Sequence, residues 1–209
     1  MKNVIVYGAG EFGSLISNII SYNNDLNIVA YGDDNTEKIG QFIDEKPIFS
    51  DEDLLKFAQE NEVKYAISSI GNNKIRAEKY SFLKNKRFQM LSLVHPQALI
   101  DTNVTYGDNV IIEMGAAIHT NSSIGNDVFL GGDALIGHHN KIGNHVLVGG
   151  NVSFGGAVIV EDYVSIGVGA SIKPGLRLGK GSVVGVGAAV VKDVNAGDVV
   201  VGVPAKPIK

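Results

Sequence analysis

Five histidines are the side chains of this sequence best suited to proton transfer near neutral pH. An imidazole titrates in that range, so it can take a proton from an amine or hydroxyl during attack on an electrophile. His138 and His139 are adjacent, His119 precedes them and His145 follows them. The histidine spacings form no evident three-ligand set and cysteine is absent, so the sequence predicts neither a metal site nor a thiol nucleophile.

A glycine-rich segment near the N-terminus is typical of a phosphate-binding turn. Gly8-Ala9-Gly10-Glu11-Phe12-Gly13 follows the apolar run 4–7 and precedes a helical pattern over 14–22. Glycines at such a turn let a diphosphate approach backbone N–H groups at a helix N-terminus. Asp33 and Asp34, twenty residues further on, are suited to accept hydrogen bonds from a ribose or a base.

The same pattern, G-x-G-x-x-G followed by an acid, is the fingerprint of dinucleotide-dependent dehydrogenases. Length argues against that class, because residues 1–95 supply only half of a dinucleotide fold and the segment after them is a repeat. We therefore interpret the turn as a nucleotide or nucleotide-sugar site. The alternatives are a dehydrogenase and glycines that serve only for chain reversal.

Alternating strand and helix patterns must position this turn. They run β-α-β-α-β-α-β up to Leu93, and the carboxyl ends of the predicted strands collect the glycine turn, Asp33-Asp34 and Gly71-Asn72. Ligands of parallel sheets bind at that edge. The order predicts a Rossmann-like α/β domain over residues 1–95.

An uninterrupted six-residue repeat begins at Ile100 and defines a second predicted domain over residues 96–209. Every sixth residue from Ile100 to Val190 is apolar, and a second register four residues after each is small or aliphatic except at Asn140. Glycine follows ten of the sixteen repeat positions, which predicts tight turns that need a residue with little steric restriction. Neither a helix nor an ordinary strand has this period, so the sequence predicts an all-β solenoid of stacked coils.

Charge and composition argue against several other classes of partner. Lys and Arg number 18 against 22 Asp and Glu, and the net charge of −4 provides no basic surface for nucleic acid or an anionic membrane. The N-terminus has a short apolar strand without the long apolar segment of a signal peptide or spanning helix. We expect a cytoplasmic protein that neither binds nucleic acid nor inserts into membranes.

Motifs along nearly the whole chain match a known pattern. They are Val6-Tyr7-Gly8-Ala9-Gly10, Gly32-Asp33-Asp34, Ile70-Gly71-Asn72-Asn73-Lys74-Ile75-Arg76, Val94-His95-Pro96, Ile136-Gly137-His138-His139 and Val201-Gly202-Val203-Pro204-Ala205-Lys206. In these motifs the sequence resembles the hexapeptide-repeat sugar-nucleotide acetyltransferases, a group with bacillosamine and perosamine N-acetyltransferases and sialic acid O-acetyltransferases. The resemblance implies a left-handed parallel β-helix with three hexads per coil, acetyl-CoA as co-substrate, and a homotrimer with active sites between subunits.

The resemblance also implies a catalytic pair, with His138 as the general base and His139 beside it. Several members of the family carry an acidic residue in the place of His139, so this chain departs from the pattern. Two adjacent imidazoles are costly to charge together, and His139 is therefore expected to act by hydrogen bonding. Asp133 is a candidate substitute acid, and Asn140 is expected to pin the turn that carries the pair.

Two binding sets follow from the same resemblance. The substrate set is Glu11, Phe12, Gly13, Asp33, Asp34, Gly71 and His119, and in it Glu11-Phe12 replaces the Gly-His common in the bacillosamine enzyme. The cofactor set is Leu147, Gly156, Val168, Val186 and Lys206, together with Lys209. His145 is expected to be a solvated turn residue, with the coenzyme groove as the alternative.

The sequence thus predicts an enzyme that moves an acetyl group from acetyl-CoA to the 4-amino group of a nucleotide-linked amino-dideoxy sugar, for bacterial surface-glycan synthesis. The closest alternative is an O-acetyltransferase acting on sialic acid or a glycan hydroxyl. A noncatalytic nucleotide-sensing or scaffolding trimer is the alternative from another class.

Overall fold

The computed structural model describes residues 1–208 and divides the chain into two compact units, residues 1–93 and residues from 94 onward. Lys209, one of the predicted coenzyme contacts, lies outside the described residues. None of the helices found between residues 1 and 208 is long and apolar enough to cross a membrane. The two units are described separately.

The N-terminal unit is a parallel α/β sheet with helices between its strands. Its elements are β1 (Lys2–Tyr7), α1 (Glu11–Ser21), β2 (Leu26–Gly32), β3 (Phe42–Ile43), β4 (Lys46–Phe49), α2 (Asp51–Glu60), β5 (Tyr65–Ser68), α3 (Asn73–Asn85) and β6 (Gln89–Met90). The strand order is β3-β4-β2-β1-β5-β6, parallel except for the β3–β4 hairpin. This arrangement confirms the predicted Rossmann-like fold.

The β3–β4 hairpin was not predicted from the sequence. Its two central residues, Asp44 and Glu45, both have positive φ, at 46° and 65°, the conformation that joins two strands through a two-residue turn. Neither residue is glycine or asparagine, the usual signal for such a turn, and β3 has only two residues. The sequence pattern was therefore too weak to reveal it.

Close backbone packing fixes the glycine turn between β1 and α1. Gly8 has a φ of 115°, and a Cβ there would collide with the carbonyl oxygen of Ser69. A Cβ on Gly13 would collide in turn with the carbonyl oxygen of Gly8. These two glycines are therefore required by the fold itself, whatever ligand the turn binds.

The C-terminal unit is a solenoid of short strands stacked in three sheets, here called faces I, II and III, which the chain visits in that order. The strands are β7 (Leu93–Val94), β8 (Leu99–Ile100), β9 (Thr105–Tyr106), β10 (Ile111–Ile112), β11 (Ala117–Ile118), β12 (Ser123–Ile124), β13 (Phe129–Leu130), β14 (Leu135–Ile136), β15 (Lys141–Ile142), β16 (Leu147–Val148), β17 (Ser153–Phe154), β18 (Ile159–Val160), β19 (Ser165–Ile166), β20 (Ser171–Ile172), β21 (Arg177–Leu178), β22 (Val183–Val184), β23 (Ala189–Val190), β24 (Val199–Val201) and β25 (Lys206–Pro207). Face I is β25-β24-β22-β19-β16-β13-β10-β7, face II is β23-β20-β17-β14-β11-β8, and face III is β21-β18-β15-β12-β9.

Strand pairing gives the length of one coil. Ile118 pairs with Ile136 and Ile136 pairs with Phe154, so paired residues lie eighteen apart and each coil takes three hexads. Pairing is parallel throughout apart from the terminal β24–β25 pair. The predicted left-handed parallel β-helix is confirmed.

The two apolar registers of the repeat form the axis of the solenoid. Their side chains make one continuous buried cluster that runs from Val110 to Val200. Burial of each valine or isoleucine contributes roughly 1.5–3 kcal/mol to the free energy of folding. Tyr106 is an exception at 43% exposure, on the terminal strand of face III.

The predicted reason for the repeat glycines is wrong. The turn residue with positive φ is the third after every repeat position except the last, Val190, as at Asn121 and His139. None of the ten glycines that directly follow a repeat position has positive φ. Those glycines are required by coil stacking, because a Cβ on Gly149 would lie 2.7 Å from the backbone nitrogen of Val168. Successive coils approach too closely there for any side chain.

This packing predicts a difference between two glycine substitutions. Gly149→Ala should lower stability by about 1–3 kcal/mol, because the new methyl group overlaps rigid backbone of the next coil. Gly132→Ala is the matched control, since its Cβ would lie 3.4 Å from the nearest atom, the carbonyl oxygen of Met114. Calorimetric unfolding midpoints measure the effect, and equal shifts for both variants would contradict the stacking explanation.

Candidate active site

A cleft of about 410 Å³ opens in the N-terminal unit beyond the carboxyl ends of β1, β2 and β5. Five of the six residues of this unit predicted to bind substrate line it: Glu11, Phe12, Asp33, Asp34 and Gly71. Gly13 is not among the lining residues; it is buried where α1 meets the glycine turn. The roles of all six in binding stay predictions.

Asp33 organises the floor of the cleft. One of its carboxylate oxygens accepts hydrogen bonds from the Ala9 backbone N–H, at 2.9 Å, and from Lys38 Nζ, at 3.2 Å. The other accepts from the Asn35 backbone N–H at 2.8 Å. Asp33 therefore holds the glycine turn and places the Lys38 ammonium in the cleft, a cation that the sequence analysis missed.

Asp34 belongs to a charged cluster with Tyr7, Asp51 and Lys79. Lys79 Nζ lies 2.7 Å from Asp34 and 3.0 Å from Asp51, and it stands 4.6 Å from the centre of the Tyr7 ring. The Tyr7 hydroxyl lies 2.7 Å from Asp34 and also contacts Asp51. Lys79 and Asp51 were missed because they are distant in sequence from the glycine turn.

Burial and charge shift the pKa values of this cluster in opposite directions. Burial and the two carboxylates raise the pKa of Tyr7, so its hydroxyl stays a donor. Burial alone would raise the pKa of Asp34, but the hydrogen bonds from Lys79 and Tyr7 and the Lys79 charge lower it. Burial would lower the pKa of Lys79, whereas Asp34 and Asp51 raise it. The lowered pKa of Asp34 and the raised pKa of Lys79 both favour a charged ion pair.

Lys79→Met tests this cluster through the pH dependence of stability. A carboxyl group whose pKa is lowered by folding stabilises the protein above its unfolded pKa of about 4 and loses that contribution as pH falls through the folded value. The unfolding midpoint of the variant should lie below that of the wild type at pH 7, and the gap should narrow below about pH 4. Lys74→Met, exposed on the same helix, is the control, and a gap independent of pH would contradict the assignment.

His138 and His139 lie on the turn between β14 of face II and β15 of face III. Both are exposed, and their Nδ1 atoms are 3.0 Å apart with the rings nearly perpendicular. His139 has a φ of 59°, and its Nε2 lies 3.3 Å from Nδ2 of Asn121 in the preceding coil. Within residues 1–208 neither histidine has an ion pair with Asp133 or another carboxylate. The side chain that contacts Nε2 of His139 is therefore the neutral amide of Asn121 and not a carboxylate.

Asn140 pins this turn from inside the solenoid, which confirms its predicted role. Its buried side chain donates to the carbonyl oxygens of Gly137, at 2.7 Å, and Gly155, at 3.1 Å. Its oxygen accepts from the Val158 backbone N–H at 2.6 Å. The amide is fully satisfied, and it ties the turn of the histidine pair to the turn of the next coil.

Gly156 lies directly beneath the His138 ring. A Cβ at Gly156 would stand 2.6 Å from Nε2 and 2.9 Å from Nδ1 of that imidazole. The missing side chain therefore lets the ring lie against the next coil. Gly156 was predicted as a coenzyme contact, and the geometry adds a second reason for glycine there.

Gly156→Ala should displace the His138 imidazole, since its φ permits alanine and only the ring stands in the way. The expected result is loss of the hydrogen bond between the two histidines, observed in the ¹⁵N spectrum of the imidazole nitrogens. Gly132→Ala, at the same turn position elsewhere in the solenoid, should leave that spectrum unchanged. An unaltered histidine spectrum in Gly156→Ala would refute the packing argument.

The predicted coenzyme residues do not meet within one chain. Val168 and Val186 lie on turns between faces I and II, whereas His138 and Gly156 lie on turns between faces II and III. These turns flank opposite ends of the face II strands. Of the remaining predicted residues, Leu147 lies on β16, Lys206 lies on β25, and His119 is in the coil before His138 with its Nδ1 3.4 Å from Asp101.

The expectation that His145 is solvated is wrong. Its side chain is 15% exposed, its Nδ1 lies 2.8 Å from the buried carboxylate of Asp127, and its ring stacks on Tyr163 at 4.8 Å. Asp127, His145 and Tyr163 are spaced by eighteen, the signal that would have revealed the column. No cluster of three or more candidate metal-binding side chains occurs in the part of the chain that the structure describes.

Residues 3–83 match the family model of the PglD N-terminal domain. The predicted family resemblance is confirmed. No curated protein matches the chain closely enough to count as a relative.

Solved structures share the fold of both the PglD-like unit and the solenoid. PerB from Caulobacter crescentus, in complex with CoA and GDP-perosamine, is 24% identical, with a TM-score of 0.93 over 100% of this chain and 98% of its own. The acetyltransferase domain of PglB from Neisseria gonorrhoeae is 24% identical, with a TM-score of 0.91 and full coverage of both chains. WeeI from Acinetobacter baumannii is 26% identical, with a TM-score of 0.91 and full coverage of both chains.

Proposed function

We propose that this protein transfers the acetyl group of acetyl-CoA to the 4-amino group of a nucleotide-linked amino-dideoxy sugar. The observation that carries the proposal is the exposed His138 imidazole, which is engaged through Nδ1 and makes no hydrogen bond through Nε2 among the described residues. An imidazole held at Nδ1 and open to substrate at Nε2 is placed to act as a general base in the tautomer whose Nε2 carries the lone pair. The relatives with bound CoA and GDP-perosamine support the choice of substrates.

In the proposed reaction the sugar amine attacks the thioester carbonyl carbon while Nε2 of His138 takes the amine proton. The tetrahedral intermediate then collapses, the carbon–sulfur bond breaks, and the thiolate of CoA receives the proton from the imidazolium. The products are the N-acetyl sugar and CoA, with the histidine restored. Direct transfer is expected, because the chain has no cysteine and no serine beside His138.

The nucleotide is assigned to the cleft of the PglD-like unit. Backbone N–H groups at the start of α1 and the Lys38 ammonium are suited to a diphosphate. The hydroxyl of Ser69, a cleft residue only 2% exposed, has no hydrogen-bond partner in the described structure. An unpaired buried hydroxyl is costly unless a ligand completes it, which supports a polar ligand in this cleft.

A homotrimer with active sites between subunits is part of the proposal. Val168 and Val186 lie at the opposite end of the face II strands from His138 and Gly156, so one chain alone does not bring these residues together around an acyl-CoA. A second copy that supplies the turns between faces I and II would complete the site. The resemblance to trimeric acetyltransferases supports this assembly.

The proposal is tested by CoA release from acetyl-CoA with UDP-, GDP- and dTDP-linked 4-amino sugars and with free sialic acid. His138→Ala should reduce turnover on one nucleotide amino sugar by at least about a hundredfold, the typical contribution of a general base. Lys141→Met, exposed on β15, should retain wild-type turnover. Turnover on sialic acid alone would favour O-acetylation, and unchanged activity in His138→Ala would refute the assigned base.

A further inference from the structure

We propose that Asn121 is a positioning residue that sets the tautomers of the histidine pair, so that neutral His139 performs the task of an acidic partner. The inference deepens the proposed function and rests on His138 as the base. Asn121 stands on the turn of the preceding coil, eighteen residues before His139, at the matching turn position. Its amide, His139 and His138 form one hydrogen-bonded chain.

The contact between the two histidines needs a single proton. Their Nδ1 atoms are 3.0 Å apart, and between two neutral rings one Nδ1 must donate while the other accepts. If His138 donates, its Nε2 carries a lone pair and can take a proton from substrate. If His139 donates, His138 carries its proton on Nε2 and cannot act as a base. The direction of this one hydrogen bond therefore decides the competence of His138.

The Asn121 amide selects that direction. In the structure its Nδ2 lies 3.3 Å from Nε2 of His139, so the amide donates and His139 must hold its proton on Nδ1. A half-turn of the amide presents Oδ1 instead, which accepts from Nε2–H of His139. Nδ1 of His139 then accepts from His138, and Nε2 of His138 is free. In the change, the proton of the Nδ1–Nδ1 hydrogen bond moves from His139 to His138. Nε2 of His139 takes one proton from water, and Nε2 of His138 releases one proton to water.

The structure therefore holds the resting form, and rotation of the amide gives the base form. An amide suits this task because it offers both a donor and an acceptor, whereas a carboxylate only accepts. In the base form, His139 also accepts the Nδ1–H of the imidazolium that forms during the reaction. His139 thus needs no charge of its own.

Few other ionisable groups act on the pair. His119, on the same turn as Asn121, is paired with Asp101 at 3.4 Å. Lys141 follows the pair on β15, and the turn 155–158 of the next coil carries no titratable side chain. A change at Asn121 should therefore reach the pH dependence of the reaction mainly through His139.

Three variants test the inference by the pH profile of kcat. Asn121→Ala removes the selector and should lower kcat about three- to tenfold, the effect of one lost hydrogen bond. The carboxylate of Asn121→Asp can only accept hydrogen bonds, so this variant should recover the kcat that is lost in Asn121→Ala. The acid limb of its pH profile should lie at higher pH than that of the wild type. Asn103→Ala is the matched control: it lies one coil earlier with the same positive φ, and it should leave kcat and the profile unchanged.

A double variant separates the relay from a merely structural effect. His139→Asp gives His138 a direct carboxylate acceptor, so adding Asn121→Ala to it should change kcat less than twofold. A loss from Asn121→Ala that is equally large in both backgrounds would overturn the inference. An unaltered acid limb in Asn121→Asp would overturn it as well.

A spectroscopic measurement makes the result independent of the enzymatic assay. In ¹⁵N-labelled protein, the Asn121→Asp variant should shift His138 toward the tautomer with its proton on Nδ1, compared with wild type. This shift without any acetyl transfer would uphold the relay and count against the proposed function. Identical tautomers in wild type, Asn121→Ala and Asn121→Asp would refute the relay even if acetyl transfer is observed.

Discussion

The solenoid depends on one constraint: the turns of successive coils stack directly on one another, separated only by the distance between neighbouring strands. Neighbouring parallel strands are separated by about 4.8 Å, so the same turn position in successive coils is nearly in contact. Where glycine directly follows a repeat residue, the next coil lies too close for a side chain, as the close approach of Gly149 to Val168 demonstrates. His138 and His139 lie further along their turn, beyond Gly137.

The same stacking turns single residues into columns. A side chain on one turn finds its partner eighteen residues away, and His138 lies over Gly156 while His139 meets Asn121. Asn140 makes the same kind of contact between coils inside the solenoid. Its amide replaces an apolar side chain and forms hydrogen bonds with the backbone of two coils. A polar side chain is tolerated in this buried position because all of its hydrogen bonds are formed.

The N-terminal unit uses close backbone approach for a different purpose. Gly8 and Gly13 bring the start of α1 against β1 and β5, and this leaves backbone N–H groups at the edge of a cleft. Asp33 and the cluster around Lys79 then fix charges at the carboxyl ends of the strands. The one ammonium that lines the described cleft, that of Lys38, is paired with Asp33, so recognition of an anionic ligand there rests on backbone dipoles as much as on side-chain charge.

The sequence by itself determined the period of six, the strand–glycine–helix order and the prominence of His138, because these follow from local spacing and residue type. It did not reveal the β3–β4 hairpin, whose turn lacks glycine, or the Lys79 cluster, whose members are distant in the chain. Only the tertiary structure decided which turn residue takes positive φ, that His145 is held by Asp127, and that His138 and Val168 flank opposite ends of face II. The physical reason is that contacts between coils depend on which positions lie above one another, and that depends on the three-hexad coil rather than on any single hexad.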